Sequence, residues 1–276
     1  MGCLPKELVE EYGIRVVPAA NIFINGKIYR DWLDISPSQA YEELEKAPGR
    51  FSTSAVSPEC FADAFRELSP HSKNILCITL ASELSAVHDV AKLARESVRE
   101  RLPETRIEVM DSRTAAAAEG LVVLAAARAA AEGKDLAAVM EAAEHVASRV
   151  HVVGLLETVR YVYRTGRVPK VAAWVASALR IKPIFTISGG KARSVAIVRS
   201  KQRGLDRLIE IMRKKVGTAP ARVAVMYASG PQEALALKKV VLANFNCVEI
   251  LMMEFSPVMA YSTGPGVVGL AFYMEG

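Results

Sequence analysis

The sequence predicts an α/β protein in two parts, an N-terminal α/β domain over residues 1–149 built on a largely parallel sheet and a C-terminal α+β domain over residues 150–276. Three observations lead there. A unit of apolar strand, polar turn and amphipathic helix recurs through the first half, and strands that alternate with helices in this way pair in parallel across helical crossovers. After about residue 150 the rhythm changes, and strand-like runs follow one another with helices between only some of them. With 276 residues, 51% of them hydrophobic, the chain can bury a core sufficient for one large domain or two.

The elements follow in order. After a first helix-like segment, IRVVPAANIFING alternates into a strand that stops at the turn pair Asn25-Gly26. SPSQAYEELEKA has a hydroxyl cap, Pro37 and acidic first-turn residues, the signals of a helix start. SPECFADAFREL repeats that design, with Ser57 as N-cap and Pro58 at the first helical position. NILCITL reads as a core strand, ASELS as its turn and AVHDVAKLARESVRERL as the helix that follows, while RIEVMDS leads into an Ala-rich helix. The boundary falls at HVASRVHVV, with no Pro/Gly-rich linker to mark it. Beyond it HVVGLLETV, KPIFTIS, KARSVAIVR, RVAVMYAS, VEILMMEF and VVGLAFYM have strand character, and Gly166 stops the helix LLETVRYVYR.

Several functional classes lose ground at once. TAAAAEGLVVLAAARAAAEG is interrupted by Glu119 and Arg128 before reaching the roughly 20 apolar residues a membrane span needs. The start, MGCLPKELVEEYG, has neither the basic flank nor the apolar run of a secretory signal, so a cytoplasmic protein is expected. Cysteines 3, 60, 77 and 247 form no CxxC pair, and reduced thiols are expected. The net charge of +5 lies in short groups such as RVPK and RKK without interleaved aromatics, so nothing supports nucleic acid as a partner.

Two glycine motifs fail on context. GPGVVG matches GxGxxG through Gly264, Gly266 and Gly269, but that fingerprint needs a helix after it, and LAFYM reads as a strand. In ISGGKARS, Phe185 stands where the first glycine of a P-loop belongs. The four histidines show no metal-ligand spacing, so no metal and no cofactor is expected.

What remains is hydroxyls at sheet edges: Thr53, Ser54 and Ser57, then Ser82 and Ser85, then Ser262 and Thr263. Each alone is a turn or cap residue; Ser57 is read as a cap and nothing more. Together they describe a site that offers neutral hydrogen bonds to an anionic or polar head group. A carboxylate held by hydroxyls, with no fixed cation against it, keeps its capacity to react.

The same residues carry a resemblance. LPKELVEEYGIRVVPAANIFINGKIYRDWLDIS, TSAVS, SELSAVHDVA, VMDS, YRTGRV, LRIKPIF and TGPGVVGLAF, in that order across nearly the whole chain, resemble the successive motifs of the DegV family of bacterial fatty-acid-binding proteins. The resemblance implies a two-lobed DegV-like fold with a long-chain fatty acid buried between the lobes as ligand. It implies that Thr53, Ser54 and Ser85 hold the carboxylate; Ser262 and Thr263, from the hydroxyl set, are weaker candidates for the same role. It also implies a non-catalytic carrier that presents the carboxylate to a separate ATP-dependent fatty acid kinase, with Arg167 on the surface that meets that partner, and no stable membrane insertion.

The chain departs from the family at three places. Ser262 stands where the family has His, Ala86-Val87 follow Ser85 where it has Gly-Thr, and Met1-Gly2-Cys3 runs into LPKEL where it has an apolar strand ending in Thr-Asp-Ser. That absent piece is expected to be a strand of the sheet. A second functional class stays open: an enzyme acting on a small polar or phosphorylated substrate at the same edge, with Ser85 or Ser54 as nucleophile and His88 as base.

Overall fold

The structure, a computed structural model, describes residues 3–166, 168 and 181–276. Its first elements are helix α1 (Lys6–Glu11) and a hairpin of β1 (Asn21–Ile24) and β2 (Lys27–Arg30). The hairpin turns on Asn25 and Gly26 at φ 50° and 81°, the two left-handed positions that a two-residue turn between twisted strands requires. Helix α2 (Pro37–Lys46) starts at a full capping box, in which Ser36 Oγ accepts from Gln39 N–H and the Gln39 side chain accepts from Ser36 N–H. Its first turn holds no acidic residue; the glutamates of SPSQAYEELEKA come later along the helix.

Strand β3 (Phe51–Ser54) pairs with β1 and completes an antiparallel sheet in the order β2-β1-β3. Helix α3 (Pro58–Leu68) has Ser57 at its N-cap position and Pro58 at the first turn. The Ser57 hydroxyl caps no backbone N–H and lies instead 3.7 Å from Cys60 Sγ. Strand β4 (Asn74–Thr79), helix α4 (Val87–Val98) and strand β5 (Arg106–Asp111) form one parallel unit. Parallel pairing in the first half is therefore confined to β4–β5, narrower than the strand–helix rhythm suggested. The reason is the Asn25-Gly26 turn, because a two-residue loop joins only antiparallel strands whereas α4 supplies the long crossover a parallel pair needs.

Helices α5 (Ala117–Ala131) and α6 (Leu136–Arg149) form a hairpin, and β6 (His151–Leu155) and the short α7 (Arg160–Thr165) follow. Gly166, at φ 66°, ends α7 in the left-handed conformation that stops helices. Then come β7 (Lys182–Ser188), β8 (Lys191–Val198), α8 (Lys201–Val216), β9 (Ala221–Tyr227), α9 (Gln232–Asn244), β10 (Cys247–Glu254), α10 (Pro257–Thr263) and β11 (Val268–Met274). The six strands make one mixed sheet in the order β10-β9-β11-β6-β7-β8, parallel only between β10 and β9.

Strand alternation sorts this sheet's two faces. Val153, Leu155, Val223, Val225, Leu270 and Phe272 point to the face covered by α8 and α9. Val152, Leu156, Ala224, Met226, Ala271 and Tyr273 point to the other, where the small side chains of α5 let the helix pack close. That second apolar cluster runs from Cys3 to Tyr273, so the first half of the chain supplies the cover for the sheet of the second. Arg128 of α5 and Arg222 of β9 both pair with Glu249 of β10, at 2.6 and 2.9 Å, and tie that helical layer to the sheet edge.

Candidate functional site

Where β3, the loop after β4, the start of α5, the six-stranded sheet and α10 converge, they enclose a cavity of about 230 Å³. Twenty of its lining residues are apolar or glycine and seven carry hydroxyls. Among the described residues no Asp, Glu, Lys, Arg or His lines it. Such a space favours an apolar ligand and addresses a polar group only through uncharged hydrogen bonds.

Five of the seven hydroxyls are those singled out in the sequence: Thr53, Ser54, Ser85, Ser262 and Thr263. The fold brings them from three distant segments. Thr53 stands opposite Ile22 in the β1–β3 register and is half-buried, while Ser54, the last residue of β3, is exposed. Ser85 sits in the turn before α4, and Ser262 and Thr263 close α10.

Their hydrogen bonds divide them. Ser54 Oγ donates to Ala55 O at 3.2 Å, and Thr263 Oγ1 donates to Met259 O at 2.8 Å. Ser85 Oγ accepts from Val87 N–H at 3.4 Å, which leaves its own hydrogen available. The hydroxyls of Thr53 and Ser262 make no hydrogen bond to any described residue. Among the described residues, then, nothing takes up the hydroxyl hydrogens of Thr53, Ser85 and Ser262.

The other two hydroxyl-bearing residues escaped the sequence reading. Thr186 Oγ1 donates to Val152 O at 2.6 Å and Thr165 Oγ1 to Val162 O at 2.8 Å. Thr186 stands opposite Val153 of β6, a pairing between strands some thirty residues apart that the sequence does not display. Of the remaining sheet-edge serines, Ser57 is outside the lining, and so is Ser82, whose Oγ donates to Asp111 Oδ2 at 2.6 Å. Asp111 also accepts from Ser82 N–H and Arg113 N–H, so the VMDS segment orders the loop that carries Ser85. His88 is not in the lining either; its Nδ1 lies 3.2 Å from Thr79 Oγ1. Arg167 lies outside the described residues.

Backbone geometry fixes the rim. Gly264 and Gly266 have φ of 73° and 72°, and a Cβ at Gly264 would strike the Tyr161 ring at 2.2 Å. The Gly-Pro-Gly segment is a tight turn that delivers Thr263 and Val267 to the cavity, with β11 rather than a helix after it. Ala116, at the start of α5, lines the cavity at φ 55°, a strained position for a residue with a Cβ and of the kind that gathers at functional sites.

Two buried carboxyls, neither given a role in the sequence reading, lie in the core outside the cavity lining. Asp31, from the YRDWLDIS segment, accepts from Val258 N–H at 2.9 Å and so fixes the start of α10. Burial pushes it up to about 6. Glu119, in the first turn of α5, is likewise pushed up by burial, to about 7. Among the described residues no group of three or more His, Cys, Asp or Glu could hold a metal ion, and no helix is long and apolar enough to cross a membrane.

Known proteins share this fold. A DegV family protein from Thermus thermophilus, described for its fatty acid binding, matches with a TM-score of 0.89 and 27% identity, covering 99% of this chain and 96% of that one. A stearic-acid-binding protein from Eubacterium ventriosum matches with a TM-score of 0.88, covering 98% and 94%; at 23% identity it shows the shared fold alone. A DegV domain-containing protein of Streptococcus pyogenes serotype M1 is 31% identical over 272 residues, 97% of this chain and 93% of that protein. The family model for "Uncharacterised protein, DegV family" matches residues 2–275, leaving out only the first and last residues. A two-lobed α/β frame, the motif order and these matches agree, and the chain belongs to the DegV family.

Proposed function

We propose that this protein is a non-catalytic cytoplasmic carrier that binds one long-chain fatty acid between lobes formed by residues 1–149 and 150–276, and presents its carboxylate to a separate ATP-dependent kinase. The observation that carries the reading is the cavity itself, apolar and free of ionisable side chains among the described residues, with hydroxyls gathered from three segments. An acyl tail gains about 0.8 kcal/mol for each methylene it buries, so the apolar wall supplies most of the affinity. Thr53, Ser85 and Ser262 donate to the carboxylate, while Ser54 and Thr263 join them when their hydroxyls rotate.

The exposed Ser54 sets part of the hydroxyl cluster at the protein surface, within a partner's reach. There a carboxylate oxygen attacks the terminal phosphorus of ATP held by the kinase, the new O–P bond forms as the bond to ADP breaks, and no cation among the described residues of the cavity lining quenches the nucleophile. Arg167 meets the partner in this reading. Its planar fork suits pairing with carboxylates or steadying a transferring phosphoryl group.

Mass spectrometry of an organic extract of the purified protein tests the ligand, and long-chain fatty acid near one per chain is the expected result. A well-folded preparation that carries none and ignores added fatty acid overturns the reading. The partner half is tested by Arg167→Ala, which should leave fatty acid affinity intact and slow acyl phosphate formation by the cognate kinase; reduced lipid affinity with a normal rate at saturation would assign Arg167 to the pocket.

A further inference from the structure

One row of the six-stranded sheet is built unlike the others. Phe185 on β7 stands opposite Gly154 on β6, Gly154 opposite Gly269 on β11, and Gly269 opposite Met226 on β9. Residues directly opposite in antiparallel strands project to the same face, here the cavity face. Two neighbouring glycines between a phenylalanine and a methionine leave a trough across the sheet, roughly 14 Å from Phe185 to Met226 over three strand spacings.

The two glycines are there for different reasons. A Cβ at Gly269 would lie 2.5 Å from Val153 O and 2.8 Å from Met226 Cε, so close packing excludes any side chain. Among the described residues a Cβ at Gly154 would meet nothing nearer than Leu156 Cδ1 at 4.0 Å, and its backbone is not in the left-handed region. Neither packing nor backbone conformation demands glycine at 154. Glycine inside a strand weakens it, and where packing gives no reason it marks a close approach by something else. Gly154 is also partly exposed although β6 lies inside the sheet between β11 and β7, and it lines the cavity.

Resting on the fatty acid reading above, we infer that the acyl tail crosses the sheet over Gly154, between Phe185 and Met226, and that the absent side chain at 154 sets the chain length the protein accepts. Any side chain there occupies the path of the tail. A leucine in its place displaces three or four methylenes, and at about fourfold in affinity for each the loss for a long chain is on the order of a hundredfold. Short chains that end before Gly154 keep their affinity.

The test is a series of dissociation constants for decanoate, dodecanoate, tetradecanoate, hexadecanoate and octadecanoate with the delipidated wild type, Gly154→Ala and Gly154→Leu. In the wild type affinity should climb along the series. In Gly154→Leu the climb should stop early, with decanoate unchanged within about twofold and octadecanoate weakened on the order of a hundredfold. Gly154→Ala adds one methyl to open space, so it folds even if the leucine variant does not, and it should lose about fourfold for the longest chains only. Equal losses for every chain, or wild-type profiles in both variants, would overturn the inference while leaving fatty acid binding in place. A wild type that binds none of the series would overturn the functional reading itself.

Discussion

Replacing Asp31 with Asn should make the protein more stable at neutral pH and remove part of its pH dependence. The Asp31 carboxyl is fully buried, and that burial raises it from an ordinary 3.8 to about 6. Because the folded state holds the proton more tightly than the unfolded chain, Asp31 contributes fully below about pH 4, and its contribution falls as the pH rises toward 6. At about 1.4 kcal/mol per pKa unit, the loss is on the order of 3 kcal/mol, complete above about pH 6. Asparagine keeps an oxygen for Val258 N–H and carries no charge. The stability difference between Asp31→Asn and wild type should therefore be near zero at about pH 4 and reach roughly 3 kcal/mol in the variant's favour by about pH 7. Urea unfolding across that range measures it, and the comparison isolates Asp31 from surface carboxylates such as Asp34, which Arg30 holds down at about 2. Parallel curves for the two proteins would show that Asp31 keeps its ionised form at no cost, and the reasoning from burial would fail.

Glu119→Gln should act in the same direction over a window from about pH 4.5 to about pH 7, since burial raises Glu119 from 4.5 to about 7; the same unfolding series checks it. Ser85→Ala and Thr53→Ala should each weaken fatty acid binding about tenfold or more while melting temperatures hold, because a hydrogen bond to a charged group contributes roughly 1.5–3 kcal/mol; unchanged dissociation constants for both would put the head group elsewhere. Gly264→Ala should lower the melting temperature clearly, since the substitution combines a left-handed backbone with a collision into Tyr161; a wild-type melting curve would mean that the ring swings away without loss.

Much of this was legible beforehand where local chemistry decides the outcome. Asn25-Gly26 can only make a tight hairpin turn, Ser36-Pro37 followed by Gln39 is a helix start, and Gly166 is a helix stop; each depends on a few adjacent residues. That Thr53, Ser54, Ser85, Ser262 and Thr263 line one cavity follows from their places at or near element ends, which a layered fold gathers along one edge. Facing and partnership were not. Thr186 reaches the cavity lining only because β7 pairs with β6, and whether Ser82 is free depends on Asp111 arriving from another strand. The strand–helix rhythm of the first half overstated parallel pairing because it registers crossovers but not which strands they join. Glu119 was noticed for interrupting an apolar run, yet its depth in the core comes from α5 being covered on several sides, which no single helix reveals.

Strand β11 comes latest in the sequence and yet lies inside the six-stranded sheet, between β9 and β6. Asp31 similarly waits for Val258, 227 positions further along. During synthesis from the N-terminus, β6 and β9 leave the ribosome with their inner edges unsatisfied, and the gap between them waits for β11. Gly269 of β11 is half the floor of the trough over Gly154, and β11 is also what sets Met226 of β9 across from Phe185 of β7. A chain interrupted before β11 therefore exposes bare strand edges on β6 and β9, which invite pairing with other chains.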